Sequence, residues 1–166
     1  MRVGKFVEHF RAAAIASDAV SMDPVLRFTA VGRQLGYAMY MLMDNAVVLD
    51  ATGIKKSSWG ARISREAYRA WFAGLSFSII SGVYSMYNLS LRQKAVISSS
   101  EPEKVVETKK VEKELMAVRV QLLSDLCDVT IPSSALGWVG LDDGIVGLAG
   151  TTSSLLGVWG QWKKTA

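Results

Sequence analysis

The chain has 166 residues, half of them hydrophobic and a fifth charged, with a formal net charge of +4 and a single cysteine. That length suits one domain with a real core, and a mean hydropathy of +0.23 describes a chain that is part buried in lipid and part wetted. Cys127 alone excludes an internal disulfide and reads as a small buried hydrophobe, and a lone His9 so far from it makes a poor metal site or catalytic pair.

The positive charge is unevenly spread. Residues 1–69 hold ten Lys/Arg against six Asp/Glu, whereas residues 92–143 hold seven against nine, and the tail adds Lys163 and Lys164. A basic N-terminal part suits an anionic membrane face. It would also suit nucleic acid, but no nucleic-acid motif accompanies it. Residues 1–20 carry Arg2, Lys5, Glu8, His9 and Arg11 through their body, so they lack the apolar run of a secretory signal. The sequon Asn88-Leu89-Ser90 lies at the edge of a hydrophobic stretch and reads as chance.

Proline occurs only at 24, 102 and 132 and punctuates the chain into helical blocks. In residues 1–20, Val3, Phe6, Val7, Phe10 and Ala14 share one helical face, with Arg2, Lys5, Glu8, His9 and Ala12 opposite. Such a basic amphipathic helix lies in a membrane interface or packs as an ordinary surface helix. Asp23-Pro24 then reads as an N-cap and first-turn proline opening residues 24–50. Arg33 and Asp44 bracket its uncharged centre too closely for a span, so it is expected to be a membrane-associated or core helix.

A basic approach, Arg62, Arg65 and Arg69, leads into residues 70–91, which hold no charge. Within helix 59–91 this stretch exceeds the roughly 30 Å of a hydrocarbon core. Trp71, Phe72, Tyr84 and Tyr87 sit towards its ends as interfacial aromatics do. Ala70, Gly74, Ser78 and Gly82 recur every four residues, a ridge along which another helix approaches closely. Residues 101–130 follow as an amphipathic helix. Val111, Leu115, Val118 and Leu122 form its stripe, Glu107–Lys110 and Lys110–Glu114 are spaced to pair, and Ile131-Pro132-Ser133-Ser134 ends it. After a glycine-rich loop, residues 144–162 are again uncharged, carry Ala149, Ser153 and Gly157 at the same spacing, and close on Trp159, Trp162 and the two lysines. The two ridges are expected to pack on each other or on copies of the chain.

The fold class expected is therefore all-α: a single helical integral membrane domain over 1–166, with two transmembrane helices, 70–91 and 144–162, plus amphipathic helices. No catalytic constellation is present. The glycines between Gly144 and Gly150 lack the Lys-Ser/Thr of a phosphate loop, and the adjacent acids Asp142-Asp143 mark the wet end of a helix rather than frame a substrate. No enzyme activity and no cofactor or metal are expected.

Three further segments carry a family resemblance. The segment from Met43-Asp44-Asn45-Ala46 to Leu49 precedes a short glycine-containing loop and Trp59. The tail LSDLCDVTIP (residues 123–132) leads into Leu136-Gly137-Trp138 and then Gly144-Ile145-Val146-Gly147-Leu148. Gly4-Lys5-Phe6-Val7-Glu8-His9-Phe10 stands at the N-terminus. Together they resemble the peroxin-11 family of peroxisomal membrane proteins, the N-terminal motif its fungal branch. The resemblance covers nearly the whole chain, which would be a form shortened at its N-terminus, since members carry a helical region before that motif.

The resemblance implies a protein that elongates and constricts the peroxisomal membrane before fission and so promotes peroxisome proliferation. Both termini would face the cytosol, in accord with the charge distribution. An N-terminal helix would insert Val3, Phe6, Val7 and Phe10 into the outer leaflet, with Arg2, Lys5 and Arg11 towards anionic headgroups. Self-association into homo-oligomers is implied, as are a fission adaptor and a dynamin-related GTPase as partners. A pore for small metabolites is the alternative. Arg27, Arg33, Asp44 and Asp50 would then line a wet path, or else stay in the headgroups or pair with one another. A helical bundle with no membrane role is the third reading.

Overall fold

The computed structural model describes residues 4–51, 59–98 and 104–165. Every regular element in them is an α-helix: α1 Lys5–Asp18, α2 Pro24–Ala51, α3 Gly60–Ser98, α4 Lys104–Ala135 and α5 Asp143–Thr165.

The helix boundaries have local causes. The Asp23 carboxylate accepts from the backbone N–H of Val25 at 2.8 Å and of Leu26 at 3.3 Å. It thereby satisfies two donors that the first turn of α2 leaves open, and Pro24 follows where a missing N–H costs nothing. Asp142 does the same for α5, taking the N–H of Gly144 at 3.0 Å, and Asp143 adds negative charge to the first turn. The expected stop at Pro132 is not where α4 ends: the helix runs through the proline to Ala135. Proline removes one backbone donor, but here that loss falls in the last turn. There the Ser133 hydroxyl donates to the Val129 carbonyl at 2.6 Å and Thr130 to that of Cys127 at 2.7 Å. The stop itself is made by Gly137, at φ 72°. This left-handed position lets Gly137 N–H reach Ser134 O at 2.9 Å and Trp138 N–H reach Ser133 O at 3.0 Å.

Among the described residues each helix packs only on its neighbours in the chain, α1 on α2, α2 on α3, α3 on α4 and α4 on α5. Cross-links between residues of falling and rising number show that the long pairs run antiparallel. Along α2 and α3, Tyr84 donates to Asp23 at 3.0 Å, Phe28 meets Phe77 edge-on, and Tyr40 stacks on Trp71 with ring centroids 5.0 Å apart. Along α3 and α4, Ser78 meets Asp125, and Arg92 pairs with Glu107 at 2.8 Å. Glu107 and Glu114 thus reach across to Arg92 in place of the pairs with Lys110 expected within α4.

The tightest point lies where α2 crosses α3. A Cβ built on Gly36 would stand 2.6 Å from Gly74 Cα and 2.9 Å from the Ala70 carbonyl oxygen, so only hydrogens fit between the two backbones. One turn away, a Cβ on Gly32 would strike the Phe77 ring at 2.7 Å. The ridge of small residues on α3 is therefore occupied within the chain: Gly74 receives α2, and Ser78 and Gly82 receive α4, with Leu122 seated over Gly82. The expectation that the two ridges pack on each other is not met, because α3 and α5 do not touch and each lies against α4.

Nor does the structure supply the two transmembrane spans. Among the described residues no helix is long and apolar enough to cross a membrane. Residues 70–91 are uncharged, but Ser76, Ser78, Ser81, Ser85 and Ser90 dilute them, and glycine, serine and threonine dilute 144–162 in the same way. Absence of charge was the feature those expectations rested on, and it does not by itself make a segment apolar.

Glycines that touch backbone and glycines that touch nothing predict opposite outcomes. Gly36→Leu forces α2 off α3 and lowers stability by about 2 kcal/mol or more. Gly157→Ala, where a Cβ would meet open space, raises it by up to about 1 kcal/mol through helix propensity. Thermal unfolding followed by circular dichroism in detergent micelles checks both.

Candidate interaction surface and buried polar seam

The core mixes apolar residues, Leu75, Val111, Leu115 and Leu122 among them, with polar ones. Thr29, Ser78, Asp125, Ser133 and Ser153 are buried, and the largest fully buried side chains are only Leu75, Val111 and Pro132. Meanwhile Phe28 is 69% exposed, Leu148 71% and Trp162 72%, and Ile80, Val83, Leu91, Leu155 and Val158 face outward with them. A large exposed apolar surface marks contact with lipid or a partner.

In α1 the helix face matters. His9 turns towards α2, where its ring nitrogen lies 2.7 Å from the Gln34 side-chain oxygen and its ring leans on Tyr37. Ala13 is buried on the same side. The face read from sequence as polar therefore supplies the packing contact, and Val7 and Phe10 stay exposed. Phe6 is half-buried, while Lys5 and Arg11 are exposed. Arg2 and Val3 lie outside the described residues, as does the side chain of Asp50.

A polar seam runs through the interior from α2 to α5. The Ser78 hydroxyl donates to Asp125 at 2.5 Å and the Gln121 amide at 2.9 Å, so the buried carboxylate keeps two donors in place of the water it lost. Ser124 and Ser153 share a hydrogen bond at 3.0 Å across α4 and α5, and Ser153 also bonds Asp128. Burial raises the pKa of Asp128 above its ordinary 3.8; the Ser153 hydrogen bond opposes this and the charge of Asp125 adds to it. Burial likewise raises that of Tyr37, against the opposing pull of Arg33. The Arg33 guanidinium lies 5.7 Å from the Tyr37 ring centre, and its buried Nε has no hydrogen-bond partner. Asp44 is half-buried on α2.

Of the expected helix-packing residues, Ala70, Gly74, Ser78 and Gly82 line the inner face of α3. On α5 only Ser153 is buried; Ala149 is half-buried and Gly157 faces open space. The aromatics expected at an interface divide: Tyr87, Trp159 and Trp162 are exposed, whereas half-buried Trp71 stacks on Tyr40 and Phe72 meets Trp138 edge-on at 4.9 Å, pinning the α4–α5 turn to α3. Sequence reasoning missed Gly36, Asp125 and Asp128. Gly32 and Gly36 do carry the four-residue spacing found on α3, and Asp125 and Asp128 stand one turn apart in an otherwise apolar run, which was the available signal.

A serial array of antiparallel helices, with a polar seam and exposed apolar residues on its outside, defines the class: an all-helical protein. The chain belongs to the family Peroxisomal biogenesis factor 11 (PEX11), whose model matches residues 1–162. This is a family of peroxisome biogenesis factors. The chain is similar to Peroxisomal biogenesis factor 11 of Schizosaccharomyces pombe, 24% identical over 139 residues that cover 84% of this chain and 57% of that protein. It thus spans little more than half the length of the curated relative it matches. No solved structure matches it.

Two substitutions in the seam separate its carboxylates. Ser78→Ala takes one of the two donors from buried Asp125 and costs about 1–3 kcal/mol. Asp128→Asn acts the other way. An acid held above its unfolded value contributes stability that is complete at low pH and lost as pH rises through the folded value. The asparagine variant therefore unfolds at higher urea than the native chain at neutral pH, and the difference closes on acidification below 3.8. Urea titrations at two pH values check both.

Proposed function

We propose that this protein works at the peroxisomal membrane, elongating and reshaping it ahead of fission and so raising peroxisome number. The observation that carries the reading is the outward apolar face of α1, where Val7 and Phe10 are exposed, continued by exposed Phe28, Ile80, Leu148 and Val158 on the other helices. Membership of the peroxisomal biogenesis factor family supplies the compartment.

Val7 and Phe10 enter the outer leaflet while Lys5 and Arg11 stay with anionic headgroups, the arrangement of an interfacial helix. Apolar side chains seated in one leaflet add area to that leaflet alone, and the bilayer curves to relieve the mismatch. Outward residues of α2, α3 and α5 deepen the attachment. Copies of the chain gather the wedges into one patch, and a fission adaptor with a dynamin-related GTPase completes scission.

The test uses the whole chain with vesicles rich in anionic lipid. Native protein co-sediments and draws the vesicles into tubules. A Val7→Asp, Phe10→Asp double variant, altered only at exposed positions, binds at least about tenfold more weakly and forms no tubules. A double variant that binds and tubulates like the native chain would overturn the reading.

A further inference from the structure

A cleft of about 760 Å³ opens between α2 and α5. Among the described residues the two helices do not touch each other. Tyr37 and Tyr40 of α2, Trp71 of α3, Asp128 of α4 and Thr151 and Ser154 of α5 line the space. Leu155 and Val158, each 65% exposed, carry the α5 wall outward as apolar surface.

The polar groups of this wall have one character: they accept. Asp128 is half-buried, and Ser153 is its hydrogen-bond partner. A carboxylate accepts at about four positions, so Ser153 leaves most of them open. Among the described residues no cationic side chain lies within ion-pair distance of it. The α5 hydroxyls have already placed their protons. Thr151 donates to the Gly147 carbonyl at 2.8 Å, and Ser154 to that of Gly150 at 2.8 Å. A hydroxyl has a single proton, so what Thr151 and Ser154 still offer is lone pairs. The Tyr37 hydroxyl is already bonded to Arg33.

An acceptor-lined cleft with a carboxylate withdrawn from water favours a cation that carries hydrogen-bond donors. A divalent metal needs six or more oxygen ligands, and among the described residues no group of His, Cys, Asp or Glu is placed to hold one. A quaternary ammonium brings no donor and depends on open aromatic faces. Those are engaged here: Trp71 stacks on Tyr40 and on Tyr68, and Arg33 lies over Tyr37. A primary ammonium brings three donors on one compact charge, which matches one carboxylate flanked by hydroxyl oxygens.

We infer that this cleft binds a primary ammonium group, with Asp128 as its counter-ion and the Thr151 and Ser154 hydroxyls as further acceptors. The group has two sources, the headgroup of an ethanolamine lipid, whose chains would lie along Leu155 and Val158, or a free small amine. The site is independent of membrane reshaping. A chain that binds the amine and leaves vesicles spherical would support the site and count only against the proposed function.

Calorimetric titration of the full chain in a maltoside detergent tests it. The probes are dihexanoyl phosphatidylethanolamine, its N-monomethyl and N,N-dimethyl forms, dihexanoyl phosphatidylcholine and ethanolamine hydrochloride. Phosphatidylethanolamine binds saturably. Affinity falls with each methyl group, because each replaces one N–H donor, and phosphatidylcholine binds at least about tenfold more weakly. Asp128→Asn weakens binding of phosphatidylethanolamine about tenfold and Thr151→Val about threefold, whereas Thr151→Ser, which keeps the hydroxyl, binds like the native chain. Unfolding curves confirm that each variant is folded. Ethanolamine binding as tightly as the lipid supports the site with a free amine as its source; much weaker ethanolamine binding supports it with the lipid as source. Phosphatidylcholine binding as tightly as phosphatidylethanolamine would overturn the inference. So would an Asp128→Asn variant that binds like the native chain, or the absence of binding by every probe.

Discussion

Where α2 crosses α3, Gly36 and Gly74 bring two backbones so close that a single methyl group on Gly36 would collide with the opposing Cα. Much else depends on that approach. It sets the register that stacks Tyr40 on Trp71 on one side of the crossing and Phe28 against Phe77 on the other. It turns the small-residue side of α3 inward, so that one turn further on Ser78 faces α4 and meets Asp125. With α2 and α4 both held on α3, α5 can reach only α4, and a cleft is left between it and α2.

The same geometry explains why polar groups share the interior with apolar ones. Close helix contact requires small residues at the crossing points, and the small residues here include serines, which bring hydroxyls into the space between helices. Each hydroxyl needs a partner in the absence of water: Asp125 accepts from Ser78 across α3 and α4, and Ser124 and Ser153 share a hydrogen bond across α4 and α5. Large apolar side chains enter those crossings opposite glycine, as Phe77 does at Gly32 and Leu122 at Gly82, while others form an exposed apolar surface. It is that surface, on a member of a peroxisome biogenesis family, that supports a role at a membrane.

Hydrogen-bond economy also separates the two acids of the seam. Asp125 is enclosed and holds two donors. Asp128 borders the cleft, shares Ser153, and is pushed towards its neutral form by burial. One carboxylate ties α3 to α4. Its neighbour one turn away borders the cleft, and among the described residues no cationic side chain stands within ion-pair distance of it.

Much of this was determined by sequence alone. Helical content, the cap at Asp23 and the family follow from local chemistry and from motifs that lie contiguous in the chain, so no tertiary information was needed to read them. The four-residue spacing of Ala70, Gly74, Ser78 and Gly82 likewise announced a close helix contact. Which helix fills it was decided only by the tertiary structure, because a ridge of small residues is complementary to any helix, and α2 and α4 were nearest along the chain. The end of α4 moved past Pro132 because the cost of a proline depends on its place in the turn. The face of α1 that meets α2 was settled by Gln34 and Tyr37, which offer His9 partners that no helical wheel can include. Uncharged length was legible in residues 70–91 and 144–162, but what those residues touch is a property of their neighbours, and only the packing shows it.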